Sequence, residues 1–318
     1  MTRKTVLICH ELPDWSDFYV AKLGETWPQH RFLAAHDEAQ AMDLAPQAQV
    51  YIGLAPKMTP ALVARMRQLE WVQSLTTGID ALLHMESFPR GLPISRVVGV
   101  QGPQMAELAL TLMLTLARRV PDLLAAQARG DWDRRPQALL HGKTLCLLGL
   151  GQIAETLALY AQTLGMTVTG VSGRESAPRV DRIFPRRQIK QAVGQADFTV
   201  VLTPLTPETR HIVDAELLAA MKPTGFLVNL ARGGCVDETA LLHALTSGQI
   251  AGAGIDVFET EPLPADNPLW SAPNIVITPH VGGFADCYHE QCLPTVRENF
   301  RRYASGGPDA LADAARRS

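Results

Sequence analysis

No stretch of this 318-residue chain stays apolar for the roughly 20 residues that a bilayer-spanning helix needs. The most apolar segment, Met105 to Arg119 ("MAELALTLMLTLARR"), carries Glu107 and Arg118 and is too short. An excess of one charge is also missing: 29 Lys and Arg against 32 Asp and Glu leave a net charge of -3, without a long basic run. Nucleic acid and anionic membranes are therefore not expected partners. Cysteine is sparse. Cys9, Cys146, Cys235, Cys287 and Cys292 form no C-x-x-C pair, which argues against a zinc site or disulfide framework and for reduced thiols in the cytoplasm. The opening "MTRKTVLICHELPDW" has too brief an apolar run for a secretory signal and reads as a first strand.

What is present is alternation of strand-like and helix-like segments, in a chain long enough for two domains. A first series of β-rich runs occupies 5–10, 31–35, 50–54, 71–75 and 94–98, with helical stretches such as 59–69 between them. A second series occupies 144–151, 167–173, 198–203, 225–231, 254–258 and 274–278. The interior runs are continuously apolar rather than alternating, as in parallel strands covered on both faces. The fold expected is α/β, with two doubly wound parallel-sheet domains. The helix around Met105–Arg119 is apolar nearly all round and should be buried on most sides, at a seam between domains or subunits. Asp237 is placed to cap the helix that follows it, and Gly248 to end it in a left-handed conformation.

"LLGLGQIAETLA" runs from strand into helix through Gly149-Leu150-Gly151. A first glycine permits a tight turn, and a second lets backbone approach a pyrophosphate. The amides around Gly151, Gln152 and Ile153 then face its charge, and Ala154 fills the third small position. An NAD site carries an acidic residue about 20 residues further on, bonded to the adenine ribose. That acid is absent here: the place holds Ser172, Gly173 and Arg174. Loss of the carboxylate removes repulsion of a 2′-phosphate, and arginine offers a charge-assisted hydrogen bond to it. The pattern favours NADP(H), with NAD(H) as the alternative. The plainer reading of Arg174 is a solvated surface arginine paired with neighbouring Glu175.

Downstream, "NLARGGCVD", "GAGIDVFETEP" and "ITPHVGG" place Arg232, Glu261 and His280 just after three successive strand-like runs. Singly, each has an ordinary structural explanation. Together they match the needs of 2-oxo acid reduction. A planar cation holds the carboxylate, an acid with a near-neutral pKa protonates the carbonyl oxygen, and a carboxylate orients and stabilises that acid.

The ordered series "TTGIDAL", "GKTLCLLGLGQIAETLA", "TPLTPETRHIV", "MKPTGFLVNLARGG", "GAGIDVFETEP" and "TPHVGG", spanning about Thr76 to Gly283, resembles the D-isomer-specific 2-hydroxyacid dehydrogenase family. The resemblance implies a flavodoxin-like substrate domain (1–98 with 284–318) and a Rossmann-like cofactor domain (99–283), with a cleft between them. It implies Arg232, Glu261 and His280 as the catalytic set, and Thr77, Gly78 and Ile79 as backbone donors to the substrate carboxylate. For the cofactor it implies Thr203 and Pro204 beside the adenosine, Leu230 and Ala231 near the nicotinamide, and Asp256 on the carboxamide. Gly282 and Gly283 complete that set. For Asp256, capping of the next turn stays open as the structural reading. The apolar helix would help build a homodimer.

"VVGVQGPQMAE" departs from the Asn-x-Pro crossing of many relatives, and its "MAE" resembles the glyoxylate/hydroxypyruvate reductase branch. The expectation is thus a reductase of a small 2-oxo acid such as glyoxylate or hydroxypyruvate. The alternatives are an NAD-dependent D-2-hydroxyacid or phosphoglycerate dehydrogenase, or a dinucleotide-sensing module without turnover. A phosphorylated substrate would call for a basic cluster, for which Arg65, Arg67, Arg90 and Arg96 are the available cations. His289 could touch substrate, although a helix surface is its plainer setting.

Overall fold

The computed structural model describes residues 3–311 and 313–317. The chain divides into two units, Met1–Val100 with Asp286–Ser318, and Gln101–Ala285.

In the first unit, β1 (Thr5–Cys9), β2 (Arg31–Ala35), β3 (Val50–Gly53), β4 (Trp71–Ser74) and β5 (Ile94–Arg96) form a parallel sheet. Its order, β2-β1-β3-β4-β5, is the flavodoxin-like one, with the reversal between β1 and β3. Val6, Leu7 and Ile8, and the whole of β3, are shielded from solvent, which explains their unbroken apolar runs. The helix Tyr288–Gly306 belongs to this unit because specific partners await it. Asn299 Nδ2 donates to buried Gln73 (2.8 Å), Tyr303 stacks on Trp71 (5.1 Å between centroids), and the Tyr288 hydroxyl donates to the Leu75 carbonyl (2.6 Å).

The second unit holds β6 (Thr144–Leu148), β7 (Thr167–Val171), β8 (Arg182–Phe184), β9 (Phe198–Val201), β10 (Phe226–Asn229), β11 (Gly252–Ile255) and β12 (Ile275–Ile277). All pair in parallel, in the order β12-β11-β10-β9-β6-β7-β8. Counted from β6 this is the Rossmann order with one added strand, and it reverses between β6 and β9. One apolar cluster contains Phe184, Leu217, Leu241 and Ile255, the other Leu112, Leu145, Leu157 and Val228. Each fully buried Leu or Val there stabilises the fold by about 1.5–3 kcal/mol.

One detail differs from the sequence expectation. Strand β8 has no counterpart in it: "RIF" is three residues long, begins with exposed Arg182, and lies at a sheet edge, so no periodicity marks it. The helix Gly102–Ala117 is, as expected, buried or half-buried over most of its circumference, and only the stripe Pro103, Glu107, Thr111 and Leu114 is exposed. One face, including Met105, Ala109, Leu112 and Leu116, packs into the core, while Leu114 stays 42% exposed beside a depression lined by Leu110, Leu159, Tyr160 and Leu164. Capping at Asp237 is as expected: its side chain accepts from the Thr239 and Ala240 amides (3.0 Å each), and Gly248 has φ +69°. Among the described residues, no helix is long and apolar enough to cross a membrane.

Candidate active site

In an open α/β sheet, ligands bind beyond the C-terminal strand ends, at the reversal of strand order. Between β6 and β9 that edge carries the glycine turn. Gly149 has φ +100°, and a side chain on it would lie 3.0 Å from the Leu202 and Thr203 backbone. Thr203 is thereby set against the turn, and the segment after it is folded by the Thr209 hydroxyl, which donates to the Pro204 carbonyl (2.6 Å). Gly151 starts the helix Gln152–Thr163 without a side-chain cap, leaving first-turn amides, Gln152 and Ile153 among them, for an external acceptor. A Cβ on Gly151 would meet nothing within 4 Å. This open cradle at a helix N-terminus fits a dinucleotide pyrophosphate.

After β7, Ser172 Oγ accepts the Arg174 amide (3.1 Å), a local turn that folds the arginine back. Its guanidinium reaches Glu155 of the helix Gln152–Thr163 (3.5 Å), not Glu175. Gly173 is open, and a Cβ on it would meet no atom within 4 Å.

Three further loops carry Arg232, Glu261 and His280. Beyond β10, Asn229, itself 1% exposed, shapes the loop: its Nδ2 donates to the Arg232 carbonyl (3.0 Å) and its Oδ1 accepts the Ala231 amide (3.1 Å). Leu230 and Ala231 are buried, and Arg232 is half-buried, with Nη1 donating to the Ala231 carbonyl (2.7 Å). Gly233 admits the next loop. A Cβ there would fall 1.8 Å from the Phe258 carbonyl carbon, so the loops after β10 and β11 touch backbone to backbone.

The loop after β11 ends in Glu261. One oxygen accepts the Phe258 amide (2.9 Å) and the other meets His280 Nδ1 at 2.6 Å. Burial would raise the Glu261 pKa, but the hydrogen bonds from His280 and Phe258 and the positive charges of His280 and Arg232 outweigh it and hold the carboxyl below its usual range. The same bond to Glu261 raises His280 above the ordinary histidine value, against desolvation. A carboxylate only accepts, so Nδ1 keeps its hydrogen in both charge states and Nε2 is the titrating atom.

His280 adopts φ +54°, a left-handed conformation uncommon for a residue with a side chain, and Asp256 sustains it. The Asp256 carbonyl accepts the His280 amide (2.8 Å). Its carboxylate, 1% exposed, accepts from Thr278 Oγ1 (2.5 Å), the Val281 amide (2.9 Å) and the Gly282 amide (3.0 Å). Asp256 is thus the organiser of the turn that presents His280. A Cβ on Gly282 would press on buried Asp256 and Met105 at 2.9 Å each, whereas one on Gly283 would meet only the tip of the Gln101 side chain at 2.7 Å.

In the other unit, Thr77, Gly78 and Ile79 follow β4 at the C-terminal sheet edge. Thr77 Oγ1 donates to the Val97 carbonyl (2.8 Å) and Thr76 Oγ1 to that of Gly78 (2.7 Å). The four arginines there do not form a cluster. Arg65, Arg67 and Arg90 precede the strands β4 and β5, at the opposite edge, whereas Arg96 ends β5 and reaches the Thr77 carbonyl (3.5 Å). His289 lies in the first turn of Tyr288–Gly306, stacked on Trp15 (4.5 Å) rather than on an open helix surface. Sequence reasoning misses Asn229 and Glu155. Asn229 ends its strand just ahead of "LARGG", the one signal that draws attention to it.

A model of the D-isomer specific 2-hydroxyacid dehydrogenase NAD binding domain matches residues 110–282. D-3-phosphoglycerate dehydrogenase of Methanocaldococcus jannaschii is 34% identical over 260 residues, 79% of this chain but 48% of that protein, so the chain spans about half the length of such relatives. Glyoxylate/hydroxypyruvate reductase B of Salmonella agona is 32% identical over 293 residues, 88% of either chain. Among solved structures, a D-isomer specific 2-hydroxyacid dehydrogenase family protein from Aeromonas salmonicida aligns with TM-score 0.87 and 32% identity, over 96% of this chain and 97% of that one. An NADPH-dependent glyoxylate/hydroxypyruvate reductase from Sinorhizobium meliloti, solved with NADP and sulfate, aligns with TM-score 0.81 and 26% identity, over 96% of each chain. The matched strands, glycine turn and the loops bearing Arg232, Glu261 and His280 place the chain in one family: it belongs to the D-isomer specific 2-hydroxyacid dehydrogenases.

Proposed function

We propose that the protein is an NADPH-preferring reductase of a small, unphosphorylated 2-oxo acid such as glyoxylate or hydroxypyruvate. The observation that carries this reading is the His280–Glu261 pair at 2.6 Å, on the loop ends beside Arg232. In this reading residues 99–283 form the cofactor domain, and 1–98 with 284–318 the substrate domain. Gly149, Gly151, Gln152 and Ile153 hold the pyrophosphate, Ser172, Gly173 and Arg174 the 2′-phosphate, and Thr203 and Pro204 the adenosine. Leu230, Ala231, Asp256, Gly282 and Gly283 surround the nicotinamide; Asp256 has one acceptor site left for its carboxamide. The bound dinucleotide supplies hydride.

The chain's own groups do the rest. Arg232 clamps the substrate carboxylate with its planar fork, and the backbone at Thr77, Gly78 and Ile79 adds donors. His280 Nε2–H bonds the keto oxygen and gives up its proton as the alcohol forms. Glu261 stabilises the imidazolium and holds the ring in one orientation. Dispersal of Arg65, Arg67, Arg90 and Arg96 over two sheet edges favours an unphosphorylated substrate over a phosphoglycerate. The Sinorhizobium reductase shares that NADPH dependence. A homodimer is part of the proposal and rests on the exposed Leu114, Leu159 and Leu164. So is a reducing, cytoplasmic setting, which suits the free thiols.

Initial rates with glyoxylate and hydroxypyruvate, comparing NADPH and NADH at matched concentration, test the reading. NADPH preference with turnover supports it; NADH preference rejects the cofactor assignment; absence of turnover with either cofactor rejects these two substrates and directs the search to other 2-oxo acids, and then to a sensing module.

A further inference from the structure

We infer that Glu155 tunes cofactor choice by competing with the 2′-phosphate for Arg174, an inference that rests on the NADP(H) reading above. The two side chains belong to different elements that the fold brings together. Glu155 lies in the first turn of the helix behind the glycine turn, its amide bonded to the Gly151 carbonyl (3.0 Å). Arg174 lies two residues beyond Ser172, whose hydroxyl accepts its amide and turns the chain back toward that helix. The resulting pair, Nη1 to Oε1 at 3.5 Å, leaves both side chains solvated, 56% and 40% exposed.

In this arrangement one edge of the arginine fork faces a carboxylate before any cofactor arrives. A 2′-phosphate, as a phosphate monoester, brings roughly −1.5 to −2 charges and three acceptor oxygens, so it outcompetes a carboxylate carrying one. It must still displace that partner or share the fork with it, beside a like charge that salt screens only in part, since the Debye length is about 8 Å at physiological ionic strength. NADH brings a hydroxyl at the same position and meets neither cost. Glu155 therefore weakens NADPH selectively and narrows the gap between the two dinucleotides. The same acid at a helix N-terminus also opposes a pyrophosphate, but that field acts on both cofactors alike.

Binding titrations of NADPH, NADH and 2′-AMP separate these effects, since 2′-AMP carries the 2′-phosphate and no pyrophosphate. Glu155→Gln, Arg174→Ala and the double variant are compared with the parent. The expected result is tightening of NADPH and 2′-AMP by about two- to fivefold in Glu155→Gln, the size of an exposed ion pair. NADH should change by less than about 1.5-fold, and the gain should vanish in the Arg174→Ala background. Equal tightening of NADPH and NADH would overturn the inference, because Glu155 would then act through the pyrophosphate. So would unchanged or weaker NADPH binding in Glu155→Gln while Arg174→Ala weakens it; the NADP(H) reading would survive that outcome. Parental NADPH affinity in Arg174→Ala would instead remove the NADP(H) reading, and the inference with it.

Discussion

Glu261 Oε2 lies 2.6 Å from His280 Nδ1, and the pair decides both the tautomer and the titration of the histidine. Because His280 is raised above its ordinary value, the imidazolium persists to higher pH than in a free histidine. Reduction of a 2-oxo acid needs that form. Its kcat/KM should be level below the His280 pKa and fall about tenfold per pH unit above it. Oxidation of the hydroxy acid needs neutral His280 and should show the mirror profile. Glu261→Gln should move the alkaline limb of reduction to lower pH, with the cofactor Kd unchanged. An unmoved limb would remove Glu261 from this role. His280→Gln should cost on the order of 10²–10⁴ in reduction, the usual worth of a positioned general acid.

The same shifts set a stability window. The raised histidine contributes fully below its unfolded value of about 6.5 and loses its contribution as pH rises through the folded value. The lowered carboxyl contributes above its unfolded value of about 4.3 and loses its share as pH falls through the folded one. The pair therefore stabilises most between roughly pH 4.5 and 6.5, modestly, since water screens both partners. The difference in Tm between the parent and Glu261→Gln should peak in that window; a difference independent of pH would contradict the pairing.

Ser172→Asp tests the cofactor reading with little risk to the fold. An aspartate at this position can accept the Arg174 amide just as the serine hydroxyl does, so the turn survives. The new carboxylate repels a 2′-phosphate and can bond a ribose hydroxyl. The NADPH to NADH ratio of kcat/KM should fall by about tenfold or more, as expected for a like charge close to a phosphate. An unchanged ratio would place the 2′-position elsewhere.

Much of this is legible in the chain because the signals are local. Apolar runs mark both sheets, and Gly149-Leu150-Gly151 marks the turn. Arg232, Glu261 and His280 can be grouped because each follows a strand-like run, and parallel strands deliver such residues to one edge. Pairing between elements is not legible. Whether Arg174 meets Glu175 or Glu155 depends on the turn at Ser172 and the rotation of a helix 19 positions upstream. Composition shows that Met105–Arg119 is largely buried but not which stripe stays open, since exposed Leu114 is as apolar as its buried neighbours Leu112 and Leu116.

Gly233 carries a prediction about how the site is assembled. Its missing side chain lets the Arg232 loop meet the Phe258–Glu261 loop at backbone distance. Backbone at 1.8 Å cannot yield as a flexible side chain does, so Gly233→Ala should lower stability by about 1–3 kcal/mol and separate Arg232 from the His280–Glu261 pair. Both Tm and kcat/KM should drop. Asp237→Ala is the control from a neighbouring loop: losing its two amide bonds should cost about 1 kcal/mol and leave kcat/KM as in the parent. If Gly233→Ala behaved like Asp237→Ala, close loop contact would not be what aligns the site.

The exposed side of Gly102–Ala117 leads to the last prediction. Leu114, Leu159 and Leu164 are 42%, 37% and 41% exposed; the first two lie on helices packed against each other, Leu164 caps the second, and Leu159 and Leu164 share a depression with Leu110 and Tyr160. Apolar groups gathered this way gain roughly 25 cal/mol for each Å² removed from water, and a second copy of the chain can cover them. Leu114→Glu places a charge on that face without touching the core residues Leu112 and Leu116. The variant should keep its circular dichroism and Tm at low concentration but sediment as a monomer where the parent sediments as a dimer. A dimer that survives Leu114→Glu would move the subunit contact off this face, and a parent that is monomeric would remove the homodimer from the proposal.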